Sequence, residues 1–137
     1  MKVKINTHGN ALPECHGDFV DLATAEDVVM KLGEFKIISL GVSMELPEGC
    51  YAMVGPRSST FKKWKLLLAN SVGIIDNEYA GDDDVWGFPA IAFDDIYIPK
   101  GTRIAQFCIV KSQEAIEFEE VESLGNKSRG GFGSTGN

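Results

Sequence analysis

FKIISLGVSMEL, residues 35–46, is the stretch that decides the fold class. It is rich in β-branched and other apolar residues, and its second half alternates apolar with small or polar side chains, as a half-buried strand does. Pro47-Glu48-Gly49 then predicts a turn, and residues 51–54 resume the apolar pattern. The stretch therefore predicts short strands that are joined by tight turns.

The same rhythm continues outward along the chain. It predicts further strands at 91–93, 96–98, 103–110 and 115–121, with a turn at Pro99-Lys100-Gly101. Residues 58–68, SSTFKKWKLLL, instead predict a short helical turn with Ser58 or Ser59 as its N-cap. Short strands at this regular spacing predict an all-β sandwich or barrel.

Length and composition narrow the function classes. The chain has 137 residues, which suits one compact domain, and a formal net charge of -7. That charge excludes nucleic-acid binding by general basic attraction. No apolar run is long enough to span a membrane, and the N-terminus lacks the apolar stretch of a signal peptide. The expectation is a cytoplasmic protein without a membrane or nucleic-acid partner.

The C-terminal stretch RGGFGSTG, residues 129–136, has little to bury. Its glycines let backbone N–H groups form an anion-binding nest, and Arg129, Ser134 and Thr135 add phosphate donors. Phe132 is the single aromatic ring, as a nucleotide base would require. The composition alone fits a flexible tail equally well.

Two other stretches carry candidate chemistry. Arg57, Ser58 and Ser59 follow a predicted strand, where they could grip phosphate oxygens or form an ordinary turn. Asp76 follows an apolar run in a hairpin-like stretch, 70–81, so it could be a partly desolvated general base or a turn residue. The acidic run 82–84 predicts a solvated turn, because three consecutive side chains cannot converge on one ion.

The order of these pieces resembles the five motifs of the trimeric all-β dUTP diphosphatase (dUTPase) family. The matching stretches run from about residue 15 to the C-terminus: Asp21-Leu22, residues 56–59, residues 70–81, residues 103–106 and residues 129–136. The resemblance implies a jelly-roll-like subunit in a homotrimer with three shared active sites. It also implies a domain over residues 1–124 and a flexible glycine-rich arm, 125–137, that crosses to close a neighbour's site.

The resemblance implies a role for each matching residue in hydrolysing dUTP to dUMP and diphosphate. Asp76 would be the general base that directs water at the α-phosphorus. Uracil and deoxyribose would be bound by Asn70, Gly73, Ile75, Tyr79 and Phe132. The phosphates would be bound by Arg57, Ser58, Ser59, Gln106, Arg129, Gly133, Ser134 and Thr135. Asp21 would act through water on a Mg²⁺ ion that the triphosphate mainly holds.

Two alternatives stay open on the sequence. A dCTP deaminase-like enzyme would share the fold, but it would need a glutamate-type base and typically lacks the glycine-rich arm. A catalytically silent domain that binds a nucleotide or a protein would gain nothing from Asp76 facing a triphosphate. Both Asp76 and the tail therefore favour the diphosphatase.

Overall fold

Residues 1–136 of the computed structural model are described, and they consist of antiparallel strands with one short helix. The strands are β1 Lys4–Asn6, β2 Glu14–His16, β3 Phe19–Ala23, β4 Val28–Met30, β5 Phe35–Ser39, β6 Ser43–Glu45, β7 Cys50–Pro56, β8 Leu66–Leu68, β9 Gly73–Ile75, β10 Gly87–Ala92, β11 Ile96–Ile98 and β12 Arg103–Lys111, and the helix is α1 Thr60–Trp64. Asn137, the last residue of the predicted arm, lies outside the described residues. The predicted all-β class is confirmed.

The strands form four antiparallel sheets around one core, in a jelly-roll-like arrangement. The largest sheet has the order β2-β3-β12-β7-β9, the next is β5-β10-β8, and β1-β6 and β11-β4 are pairs. Alternate residues of β7 and β10 point inward, so Val54 and Phe88 are both buried in the same apolar cluster. Trp86 meets Phe107 edge-on with 5.2 Å between ring centroids, which ties the start of β10 to β12.

The stretch 35–46 forms two strands with a bend between them. Gly41 has φ +66°, and a Cβ there would lie 2.6 Å from the Ala25 Cβ, so only glycine fits this bend. The predicted strand at 91–93 begins earlier, at Gly87, and is the centre of its sheet. The strands predicted at 51–54, 96–98 and 103–110 are all present within β7, β11 and β12.

The helical prediction for 58–68 is wrong at its C-terminal end. Lys65 adopts a left-handed conformation with φ +53° and donates its N–H to Phe61 O, which ends the helix. Leu66–Leu68 then pairs with β10 as strand β8, because its buried–exposed–buried alternation suits a sheet. Ser59 is the N-cap as predicted, although its side chain makes no capping hydrogen bond.

The strand predicted at 115–121 does not form. Every residue from 111 to 136 is exposed, and the last strand ends at Lys111. Ile116, Phe118 and Val121 are 58%, 90% and 49% exposed, so an alternating apolar pattern lacks any partner within residues 1–136. In that same part of the chain, no helix has the length and apolarity needed to cross a membrane.

Candidate active site

A cavity of about 350 Å³ opens beside β9 and the start of β10. It is lined by five of the predicted site residues: Asn70, Gly73, Ile75, Asp76 and Tyr79. The predicted hairpin over 70–81 is wrong, because this stretch contains one strand, β9, which pairs with β7, whereas the preceding β8 pairs with β10 in another sheet. The cavity therefore lies where one connection passes from the smaller sheet to the larger one.

Gly73 fixes how closely β9 approaches β7. A Cβ at Gly73 would lie 3.3 Å from the Val54 Cβ, which is tighter than an ordinary contact. The preceding loop bends through Ser71, which has φ +63° and donates its N–H to Leu68 O. This compact turn sets Asn70 at the cavity.

Asp76 is held by local hydrogen bonds but is not buried. Its Oδ1 accepts from the backbone N–H of Glu78 at 2.9 Å, an Asx-type turn. The neighbouring Asn77 donates to Pro47 O at 2.9 Å and to Cys50 O at 2.7 Å, which anchors the turn to β7. The prediction of partial desolvation is wrong for the single chain, because Asp76 is exposed in it.

Asn77 was missed as a site-forming residue. In the sequence, Asn77 is typical of a turn. Its two hydrogen bonds depend on the positions of the Pro47 and Cys50 carbonyl groups, which no local sequence pattern predicts. Trp86 is 1% exposed and lines the cavity. From the sequence, Trp86 or Phe88 could line a site or an interface, and of the two it is Trp86 that lines the cavity.

A second cluster gathers at the C-terminal end of β7. Asp21 is buried, and its Oδ2 pairs with Arg57 Nε at 3.2 Å and with Arg103 Nη1 at 3.3 Å. Gln106 donates to Pro56 O at 3.1 Å. Thr60 bonds both Arg57 N and Ile104 O and so braces the turn that carries the exposed Ser58 and half-buried Ser59.

The second cluster extends to two residues that the sequence left unassigned. Glu14 Oε2 lies 3.0 Å from Arg103 Nη1 and 3.1 Å from His16 Nε2. The hydrogen bond from His16, followed by the charge of Arg103, lowers the pKa of the Glu14 carboxyl below its ordinary value. The sequence signal for this pair was the i, i+2 spacing of Glu14 and His16 on a strand, which places both side chains on one face.

The tail forms a third group. Gly131 N donates to Ser134 Oγ at 2.7 Å and Ser134 N donates to Gly131 O, so the tail closes a small turn. Phe132 has φ +48° and is fully exposed on this turn. Arg129, Gly133 and Thr135 are exposed as well, and the tail packs neither on the cavity nor on the second cluster.

The first two groups are well separated in one chain. Ala52 of β7 pairs with Ile75 of β9, directly before Asp76, whereas Arg57 is five residues further along. At a strand rise of about 3.3 Å per residue, roughly 16 Å lie between these points. A single subunit therefore brings the cavity residues together but not the three groups.

The protein offers little direct ligation for a metal ion. Residues 1–136 contain no group of three or more His, Cys, Asp or Glu side chains that could hold one. Asp21 already carries two guanidinium groups on Oδ2, so it suits contact through water rather than direct coordination. Mg²⁺ commonly keeps several waters and binds through one or two carboxylates plus substrate phosphates, which fits this arrangement.

The chain is similar to curated dUTP-hydrolysing enzymes along most of its length. It is 55% identical over 120 residues to the SPbeta prophage-derived deoxyuridine 5'-triphosphate nucleotidohydrolase of Bacillus subtilis, covering 88% of this chain and 84% of the relative. It is 37% identical over 141 residues to the deoxyuridine 5'-triphosphate nucleotidohydrolase of Clostridium acetobutylicum, covering 99% and 96%.

Solved structures agree on the fold. The dUTPase of Staphylococcus bacteriophage 80alpha, solved with dUPNHPP, matches with a TM-score of 0.80 at 24% identity over 99% of both chains. A D95N mutant dUTPase from phage phi11 of S. aureus, solved to show coordination of a structural Mg(II) ion, matches with a TM-score of 0.74 at 22% identity, covering 90% and 99%.

The dUTPase family model matches residues 19–136, which include the cavity, the tail, and Asp21, Arg57 and Arg103 of the second cluster. The five motifs, from Asp21 to residue 136, lie within the matched residues, and the two curated relatives cover 88% and 99% of this chain. The chain belongs to the dUTPase family.

Proposed function

We propose that this protein hydrolyses dUTP to dUMP and diphosphate, with Asp76 as the general base. The observation that carries the proposal is the cavity that Asp76 shares with Asn70, Gly73 and Tyr79 in a member of the dUTPase family. A carboxylate on an anchored turn can orient a water and take its proton as the oxygen attacks the α-phosphorus. The bond to the diphosphate leaving group then breaks.

Uracil and deoxyribose occupy the cavity in this proposal. Asn70 and the backbone around Gly73 and Ile75 read the uracil edge, and a cytosine would leave polar groups there unpaired. Tyr79 packs against the deoxyribose and leaves no room for a 2′-hydroxyl. The cavity is about 350 Å³ and is lined mostly by apolar side chains such as Ile75 and Val85, which suits a nucleoside.

The phosphates lie over the second cluster and beneath the arm. Their ligands are Arg57, Ser58, Ser59, Gln106, Arg129, Gly133, Ser134 and Thr135, and Phe132 covers the uracil ring. Mg²⁺ bound to the triphosphate would neutralise charge on the phosphate oxygens, with Asp21 in contact through water. The exposed hydroxyl of Ser58 and the positive φ of Gly133 support these assignments.

We propose a homotrimer in which each site is shared between subunits. The separation of the groups within one chain supports this, because a substrate that needs all three must be reached by other copies. The outer face of β5-β10-β8 supports it too: Phe35, Ile37 and Leu67 are 57%, 61% and 44% exposed, and Ile37 also lines the cavity. A head-to-tail interface whose rotation closes after three copies gives such a ring.

In the same proposal, residues 1–124 form the catalytic domain and 125–137 the arm that crosses to a neighbour. The exposure of every residue from 111 to 136 supports an arm whose partners are another subunit and the ligand. The enzyme would work in the cytoplasm, where it keeps uracil out of DNA and supplies dUMP for thymidylate synthesis.

The test is diphosphate release from dUTP, dCTP, dTTP and UTP, measured side by side with Mg²⁺. We expect activity with dUTP alone. Ammonia release from dCTP would replace the proposal by a deaminase, and binding of dUTP without turnover would indicate a silent domain.

A further inference from the structure

A row of functional side chains crosses the largest sheet. Glu14 of β2 pairs with Asp21 of β3, and Asp21 pairs with Gln106 of β12. Directly opposed residues in antiparallel strands carry their side chains on the same face. Glu14 therefore occupies the edge position of the row that holds Asp21 and Gln106, two residues of the proposed phosphate and Mg²⁺ region.

Arg103 joins the edge of this row to its centre through one nitrogen. Its Nη1 lies 3.0 Å from Glu14 Oε2, 3.3 Å from Asp21 Oδ2 and 3.0 Å from His16 Nε2. A guanidinium nitrogen has two hydrogens, so it cannot donate to all three atoms. The two carboxylates are the stronger acceptors, because a hydrogen bond between a guanidinium and an ionised group is stronger than one to a neutral acceptor.

His16 is consequently a donor to Glu14. Its Nε2 lies 3.1 Å from Glu14 Oε2, and this hydrogen bond is the largest cause of the lowered pKa of Glu14. The groups then alternate across the sheet face as donor, acceptor, donor, acceptor and donor, in the order His16, Glu14, Arg103, Asp21, Arg57.

Arg103 keeps most of its donors unused in this arrangement. Within residues 1–136 all its side-chain hydrogen bonds run through Nη1, which leaves the N–H groups of Nε and Nη2 without a protein partner. A guanidinium held at one corner by two carboxylates has a fixed plane, and a planar fork is what phosphate oxygens recognise. Its side chain is 38% exposed, so these groups are open to a ligand.

We propose that Glu14, supported by His16, is a positioning residue that fixes the plane of Arg103 beside Asp21 for binding of the triphosphate. This inference rests on the proposed function. It predicts that removing the charge of Glu14 raises KM for dUTP, which is the opposite of what charge repulsion alone would give. A carboxylate near a polyanion weakens binding by repulsion, so removing its charge would lower KM if repulsion were its whole effect.

The first experiment measures kcat and KM for dUTP in the parent, Glu14→Gln and Glu45→Gln. Glu45 is a matched control, since it is also an exposed strand residue paired with a cation, Lys4, at 2.7 Å, outside the proposed site. We expect Glu14→Gln to raise KM about 3- to 5-fold, the size of an exposed ion pair, with kcat within about 2-fold. Glu45→Gln should change neither. An unchanged or lower KM in Glu14→Gln overturns the proposal.

The second experiment asks whether Glu14 acts through Arg103. In an Arg103→Lys background the planar fork is absent, so Glu14→Gln should change KM by less than about 2-fold. An undiminished effect in that background also overturns the proposal. His16→Ala should raise KM in the same direction as Glu14→Gln, and His16→Gln should restore it, because its amide can still donate. A parent that lacks dUTP hydrolysis would instead refute the proposed function.

Discussion

The packed domain and the C-terminal segment 112–136 carry the proposed chemistry in opposite ways. The domain positions several of its site residues by contacts that are visible in one chain, such as the hydrogen bonds of Asn77 to β7 and the pairing of Asp21 with Arg57. The segment has phosphate donors and an aromatic ring, but each of its residues is exposed. Within residues 1–136, no contact with the domain fixes where these side chains lie, so their positions must be set by another subunit or by the ligand.

The comparison teaches where the missing contacts must come from. An alternating apolar stretch with Phe118 90% exposed is not expected of an ordinary disordered tail, which is poor in such residues. The outer face of the β5-β10-β8 sheet is also apolar and exposed, so the domain too has an apolar surface without a packing partner among residues 1–136 of one chain. We therefore expect the two regions to complete each other between copies of the chain.

The largest expected effect concerns the domain. Asp76→Asn should keep dUTP binding and lower kcat by about 10³-fold, in the range that general-base removal produces. Diphosphate release measures turnover, and calorimetry with dUTP measures binding. Asp83→Asn is the control, because Asp83 is an exposed acid of the neighbouring turn. Turnover at the parental rate would show that Asp76 is not the base.

The next effect concerns the segment. Deleting residues 126–137 should lower turnover by at least about 10²-fold, because closing a site and orienting a substrate contribute on this scale. The oligomer should remain intact by light scattering, since the deletion keeps Ile116, Phe118 and Val121. Dissociation into monomers would indicate that the arm is mainly structural.

A smaller effect is expected where the segment meets another copy. Phe118→Ser should weaken assembly by about 2 kcal/mol, the contribution of burying a large apolar side chain. Sedimentation across a dilution series would detect this as dissociation at higher concentration than the parent. Glu119→Ser, in the adjacent exposed position, should leave assembly unchanged. Equal behaviour of both variants would mean that residue 118 stays in solvent.

The smallest effect tests how tightly the domain fixes its cavity. Gly73→Ala places a Cβ 3.3 Å from the Val54 Cβ, so β9 must shift by a few tenths of an ångström. We expect KM for dUTP to rise about 3-fold with the fold retained, since small displacements at a site weaken substrate positioning. Gly55→Ala is the control, because nothing lies within 4 Å of a Cβ there. A KM that is equal in both variants would mean that the cavity tolerates movement of β9.

The sequence predicted the fold class because many of its strands are self-contained patterns. Residues 51–54 and 96–98 show their strand character locally, and both are strands in the structure. Leu66–Leu68 was assigned to a helix because three leucines suit either state, and pairing with β10 decides between them. Residues 115–121 read as a strand for the same local reason, yet a strand needs a partner that one chain does not provide.

The candidate site was predictable as a set of residues but not as a geometry. Motif order brought out Asp76, Asn70 and Tyr79, and the structure does gather them at one cavity. The contacts of Glu14 with Arg103 span 89 positions and depend on the register of β2, β3 and β12, which no local pattern reveals. The contacts of the arm are not set by a local sequence pattern, because they are made with another subunit and the ligand in the proposed trimer.

The most direct test mixes two inactive variants. Asp76→Asn subunits and subunits that lack 126–137 are unfolded together and refolded, and dUTP hydrolysis is compared with each variant refolded alone. If the arm works on a neighbour, some mixed sites combine an intact Asp76 with an arm from another subunit. About a quarter of the sites in a random trimer would then be complete, and activity should return to that level. Continued inactivity in confirmed mixed oligomers would contradict a site that is shared between subunits.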